Sequence, residues 1–305
     1  MIKSLTIRKL QIVALLAGFI LAGCGKVSEK PKPSIPERLA EKVALYKKLQ
    51  PPLLDAYGWA SDKCDSVLIT SLCKVAGGCQ KANVYDAESV EEPGRWYRHA
   101  LHDCYGNGSA SDISKDMFAG IGTFLVASGD IAGRKRIAEY GAANDWIMGR
   151  GPVSRTYLTP PLRWIFSDVV SVNQAPDDWI PIPTNTGYKA HLDVLSILLR
   201  GMVRGNKTTE IELQYLKAQA ARVPNNALFQ AAYHKYADGD QSRAAAILLD
   251  ERWFPADRIP DNRNYCTDYL WSRDEPHDVD PCDDAHAEKI DGSDFLFAAW
   301  VAYGN

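Results

Sequence analysis

The sequence lacks the short motifs that announce the common enzyme classes. It contains no Gly-x-Ser-x-Gly elbow, phosphate-binding loop, dinucleotide fingerprint or His-Glu-x-x-His helix. These absences argue against serine-hydrolase, nucleotide-dependent and zincin chemistry. No Cys-x-x-Cys pair occurs, which argues against a structural zinc site; His99, His102 and Asp103 lack further ligands at metal spacing and the carboxylate-rich residues 274–288 lack the glycine of an EF-hand loop, so no metal or cofactor is expected. Basic surplus is also missing: 35 Lys and Arg stand against 38 Asp and Glu, a formal charge of -3. Nucleic acid is therefore not an expected partner, because its affinity comes largely from Lys and Arg on phosphate. The apolar run at residues 10–21, interrupted only by Gln11, is too short to span a bilayer core of ~30 Å.

What that run does have is a context. Lys3, Arg8 and Lys9 precede it, and Leu21-Ala22-Gly23-Cys24 follows with small residues before the cysteine. Positive, then apolar, then small is the order of a secretory signal. Leu21-Ala22-Gly23-Cys24 resembles the bacterial lipobox. The resemblance implies diacylglycerol on the Cys24 thiol, cleavage before it, and acylation (palmitate or a similar chain) of the new terminus. Several chains together hold a protein on a membrane durably, which makes the membrane an expected partner. Gly25 stands where an inner-membrane retention signal would place Asp. The resemblance therefore implies an outer-membrane lipoprotein with its domain in the periplasm or at the surface. Removing residues 1–23 takes away Lys3, Arg8 and Lys9 and moves the formal charge from -3 to -6.

Three organisational units are expected. Residues 1–23 are the signal, residues 24–36 are the lipidated cysteine and a Pro/Lys-rich tether, and residues 37–305 are a single domain. Beyond Cys24, six cysteines remain, an even number in an oxidising compartment. Loop closure favours near neighbours, so the expected disulfides are Cys73 with Cys79, Cys64 with Cys104, and Cys266 with Cys282.

Apolar periodicity reads as helix nearly throughout, with no hairpin of alternating strands. Ile113, Met117, Ile121, Phe124 and Leu125 share one face, and Gly120 and Gly122 lie in the same helix where a neighbour must approach closely. Gly129-Asp130, Gly205-Asn206, Gly239-Asp240 and Gly304-Asn305 each close an apolar run, with glycine in the left-handed position that ends a helix. In the first three, Asp or Asn is expected to cap the next helix and Ile137, Leu213 and Ile247 to face the core. Helical hairpins of this style, over residues 37–305, resemble the (α/α)6 toroids of glycosidases and polysaccharide lyases. The expected fold is thus all-α, a helical-hairpin array forming an (α/α)6-like toroid stapled by disulfides. The count of helical segments is about eleven, with irregularity expected around residues 152–187, where prolines cluster.

The densest polar stretch, residues 95–116, carries Arg95, Trp96, Arg98, His99, His102, Asp103 and Tyr105 and leads to Asp112 and Asp116. The resemblance implies acids on loops or helix starts at one mouth of the barrel, which Asp65, Asp112 and Asp116 fit. Two carboxylates across a sugar serve as acid and base, or acid and nucleophile. His99 is a candidate base, and Arg95, Trp96, Arg98, Tyr105 and His234 are candidate substrate-binding residues. Trp164, Trp179, Trp253 and Trp271 offer further flat faces for pyranose rings. The same carboxylates also suit helix starts, where they favour the dipole. The leading expectation is a monomeric glycoside hydrolase or polysaccharide lyase acting on a polysaccharide. The alternative is a non-catalytic envelope lipoprotein that binds glycan or protein.

Overall fold

The computed structural model describes residues 33–60, 66–102, 113–150, 155–169, 177–251, 253, 254, 256 and 291–304. Ile35–Asn305 is one compact unit; of the segment Met1–Ser34, only residues 33 and 34 are described. Among the described residues the chain is mostly helical: α1 (Ile35–Leu49), α2 (Ser66–Val75), α3 (Lys115–Ala127), α4 (Ile131–Ala143), α5 (Pro160–Ser167), α6 (Gly187–Val203), α7 (Glu210–Arg222), α8 (Ala227–Ala237), α9 (Ser242–Leu249) and α10 (Ser293–Tyr303). None of these helices is long and apolar enough to cross a membrane. Helix α1 begins inside the expected tether, with Pro36 in its first turn, where a missing N–H costs nothing.

One antiparallel pair corrects the expectation of no strand hairpin: β1 (Ile147–Arg150) runs beside β2 (Arg155–Tyr157) between α4 and α5. The proline-rich stretch also holds α5, which starts on Pro160 and Pro161. Proline at the first helical positions is pre-set for the helix, so the cluster marks a start there.

Three of the four turn glycines behave as read. Gly129, Gly205 and Gly239 have φ of 69°, 68° and 73°, left-handed values that favour glycine. Gly304 differs: its φ is -72°, so it does not end α10 in that manner. Asp130 caps α4 by accepting from Gly133 N–H, and Asp240 accepts from Ser242 N–H at the start of α9. Asn206 does not cap α7. Thr209 does, in a reciprocal box with Glu212. Ile137 and Ile247 are buried as expected, whereas Leu213 is half-buried and Leu216 takes its place in the core.

Two helices organise the packing. Every residue of α10 from Ser293 to Ala299 is buried, and the helix packs on α1, α2, α8 and α9. Helix α3 packs on α2, α4, α5 and α6. Its glycines explain how closely. A Cβ on Gly120 would stand 2.7 Å from the Leu68 carbonyl oxygen, and one on Gly122 would stand 2.7 Å from Leu199 Cδ2. Helix packing, and not a ligand, accounts for both. The expected Cys73–Cys79 disulfide is present. Gln50, directly after α1, binds it: its side-chain amide donates to Cys73 Sγ (3.1 Å) and its oxygen accepts from Cys79 N–H (2.8 Å). The same amide reaches the Asp291 carbonyl ahead of α10 (3.2 Å). Cys24, Cys64, Cys104, Cys266 and Cys282 lie outside the described residues.

Candidate functional site

The polar stretch begins by docking on the start of α2, where the Arg98 carbonyl accepts from Val67 N–H (2.8 Å). This places His99 against a turn at residues 55–59. Asp55 builds that turn: Oδ1 accepts from the Tyr57 and Trp59 N–H groups at 2.9 and 2.8 Å, and its carbonyl accepts from Gly58. Its other oxygen, Oδ2, lies 2.7 Å from His99 Nε2. His99 Nδ1 accepts from Leu101 N–H (3.1 Å), so the neutral ring carries its proton on Nε2 and donates it to Asp55. Tyr57 meets the imidazole edge-on at 6.0 Å and Trp59 packs on it at 5.1 Å.

Beside this pair is a second group of rings. Tyr97 stacks on His102 with centroids 3.9 Å apart, Arg95 lies over the Tyr97 ring at 5.2 Å, and Arg95 pairs with Glu92. His102 Nε2 is 3.0 Å from the Asp86 carbonyl and therefore donates to it. Tyr57 and Leu101 are exposed, while Arg95, Tyr97, Arg98, His99 and His102 are half-buried.

Several expected residues are placed otherwise. Trp96 is only 1% exposed, so neither ring face is open to a sugar. Trp164 is buried in α5, and Trp179 and Trp253 are half-buried against the core. Asp116, 6% exposed in the first turn of α3, accepts from the Ser114 hydroxyl. His234 does not face a central cavity: its Nδ1 pairs with the exposed Asp238 (2.8 Å) at the end of α8. Asp65, Asp112, Tyr105, Asp103 and Trp271 lie outside the described residues. Among the described residues no group of three or more His, Cys, Asp or Glu is placed to hold a metal ion.

A cluster of charges escaped the sequence reading. Arg200 in the last turn of α6 and Arg204 at its C-cap both engage Asp177 and Glu212. Arg204 Nη2 is 2.6 Å from Asp177 Oδ2 and its Nη1 is 2.7 Å from Glu212 Oε2. Arg200 Nε reaches Glu212 Oε1 at 2.8 Å, and its Nη2 pairs with Asp177. Trp164 and Trp179 flank the Arg200 guanidinium at 5.1 and 5.4 Å. Arg200 and Glu212 are each 1% exposed. Burial pushes the Glu212 carboxyl up, but the Thr209 N–H, the Thr208 hydroxyl and the two arginines outweigh it and hold the group below its usual range. Nearby, Asp193 Oδ2 accepts from Asn185 (2.7 Å) and Tyr215 (3.0 Å), and burial raises it despite both bonds. The i, i+4 spacing of the arginines was a visible signal, but their partners come from other segments.

Compared with family models, with curated proteins and with solved structures, the chain matches none.

Proposed function

We propose that this chain is an exported lipoprotein, anchored through Cys24 to the envelope, whose helical domain binds glycan without cleaving it. The observation that carries the non-catalytic reading is the state of His99. With Nε2 donating to Asp55 and Nδ1 occupied by Leu101 N–H, the neutral ring has no lone pair left to take a substrate proton. Asp116 is likewise turned inward onto Ser114. Around His99 the exposed Tyr57 and the Tyr97–His102 stack, with the Arg95–Glu92 pair over it, leave an aromatic and polar surface of the kind that holds sugar rings.

A second reading is a glycoside hydrolase or polysaccharide lyase in an (α/α)6-like toroid. The left-handed glycine turns and hairpins favour it, with Asp116 at a helix start as the acid. One experiment separates the two. The mature chain is offered neutral and uronate-containing polysaccharides, and both retention and the appearance of new reducing ends or unsaturated sugars are followed. Retention without product, weakened by Tyr57→Ala and Tyr97→Ala, supports the binder. Product formation lost in Asp116→Asn supports the enzyme, and silence in both assays removes both. Anchoring is tested by lipid labelling in a bacterial host, which Cys24→Ala should abolish.

A further inference from the structure

Residues 177–186 form a strap along α6 and α7, fastened at both ends. Asp177 is held by Arg200 and Arg204, and Asn185 by Asp193 and Gln219. Between them Trp179 and Pro181 turn inward, while Ile180 and Ile182 are exposed. We propose that Asp177 occupies, from within the chain, a binding site for a ligand carboxylate, and that an acidic sugar or other small organic acid displaces it.

Three observations carry this. Arg204 grips Asp177 side-on through Nε (3.0 Å to Oδ2) and Nη2 (2.6 Å to each oxygen), the fork geometry that receives any carboxylate. The charges leave room for one anion: Glu212 answers one guanidinium permanently, and Asp177 answers the other. Arg200 also keeps a buried donor, Nη1, with no partner among the described residues, so the cluster holds more hydrogen-bonding capacity than its internal acids use. Accessibility is one-sided. Asp177 is 34% and Arg204 16% exposed, whereas Arg200 and Glu212 are each 1% exposed, so the cluster meets water through the Arg204–Asp177 pair.

Asp177 competes as a tethered carboxylate, at high effective concentration, so the wild-type chain binds outside acids weakly, in proportion to the fraction with the strap released. This site is separate from the His99 surface, and either can fail without the other.

The test is thermal unfolding of the mature chain, wild type and Asp177→Ala, with galacturonate oligomers, succinate, neutral galactose oligomers, or chloride at matched ionic strength. Asp177→Ala is expected to melt lower, to regain stability with carboxylates, and to bind them about tenfold or more tightly than wild type. Adding Arg204→Gln to Asp177→Ala should erase the response. A response to galacturonate alone identifies an acidic sugar, and one to succinate as well identifies a small organic acid. Equal responses in wild type and variant, or a response no greater than chloride gives, overturn the proposal. Should Asp177→Ala not fold, hydrogen exchange in the wild type decides. Faster exchange across residues 177–186 on adding either acid, with α6 unchanged, supports displacement, and no change overturns it.

Discussion

The two sides of the core are held by different physics. Around α1, α2 and α10 apolar and neutral contacts dominate, with Lys42, Asp291 and Asp294 the buried charged residues among them: Tyr46 packs on Phe295 with centroids 3.9 Å apart, Phe254 lies 5.5 Å from the same ring, and Gln50 joins the disulfide to the start of α10. Around α5, α6 and α7 the core closes over the Arg200–Glu212 pair, with Arg204 and Asp177 completing the cluster toward the surface. Apolar burial scales with area and is indifferent to pH. A buried ion cluster gains little net stability when complete, because desolvation offsets attraction, yet loses much when one member is removed. The first side should therefore tolerate changes of condition, and the second should tolerate almost no change of composition.

The largest test of that contrast is Glu212→Ala, which leaves Arg200 buried with one acid fewer. It should cost about 3–5 kcal/mol in urea unfolding. Acid comes next. Burial holds His191 on α6 down at about 3, against an ordinary value of 6.5. Below pH 6.5 the unfolded chain binds a proton there that the folded chain refuses. Stability should fall by about 1.4 kcal/mol per pH unit as pH drops through that window, and His191→Gln should flatten the slope. Glu212, whose carboxyl is lowered in the fold, adds to the loss only below its unfolded value of 4.5. On the apolar side Gly120→Ala forces a Cβ against the Leu68 backbone and should cost about 2–3 kcal/mol, with no pH dependence. Smallest is Cys73→Ser with Cys79→Ser, which opens a short loop and should cost about 2 kcal/mol by calorimetry. A pH-dependent loss on the apolar side would break the comparison.

Features written in neighbouring residues were legible from the sequence. The left-handed turns at Gly129, Gly205 and Gly239, the apolar face of α3 and the Cys73–Cys79 bridge each depend on a few consecutive positions. Asn206 was misplaced because Thr209, three residues on, offers the better cap with Glu212 as its reciprocal partner. The β1–β2 pair is too short for alternation to show, and Pro160-Pro161 resembled a break although it opens α5. Of the candidate site, the polar stretch was found but its chemistry was not. Asp55 meets His99 across 44 positions, and Asp177 meets Arg204 across 27. No local pattern encodes such meetings.

Gln50 touches the Asp291 carbonyl, a contact spanning 241 positions. Contacts this distant are slow to form, because the loop they close must be ordered before they return anything. Cys73 and Cys79, six positions apart, need no such wait. Refolding should accordingly show the bridge and the ion-paired helices early and the docking of α10 last. Docking of α10, buried from Ser293 to Ala299, would then mark the final, rate-setting event in assembly.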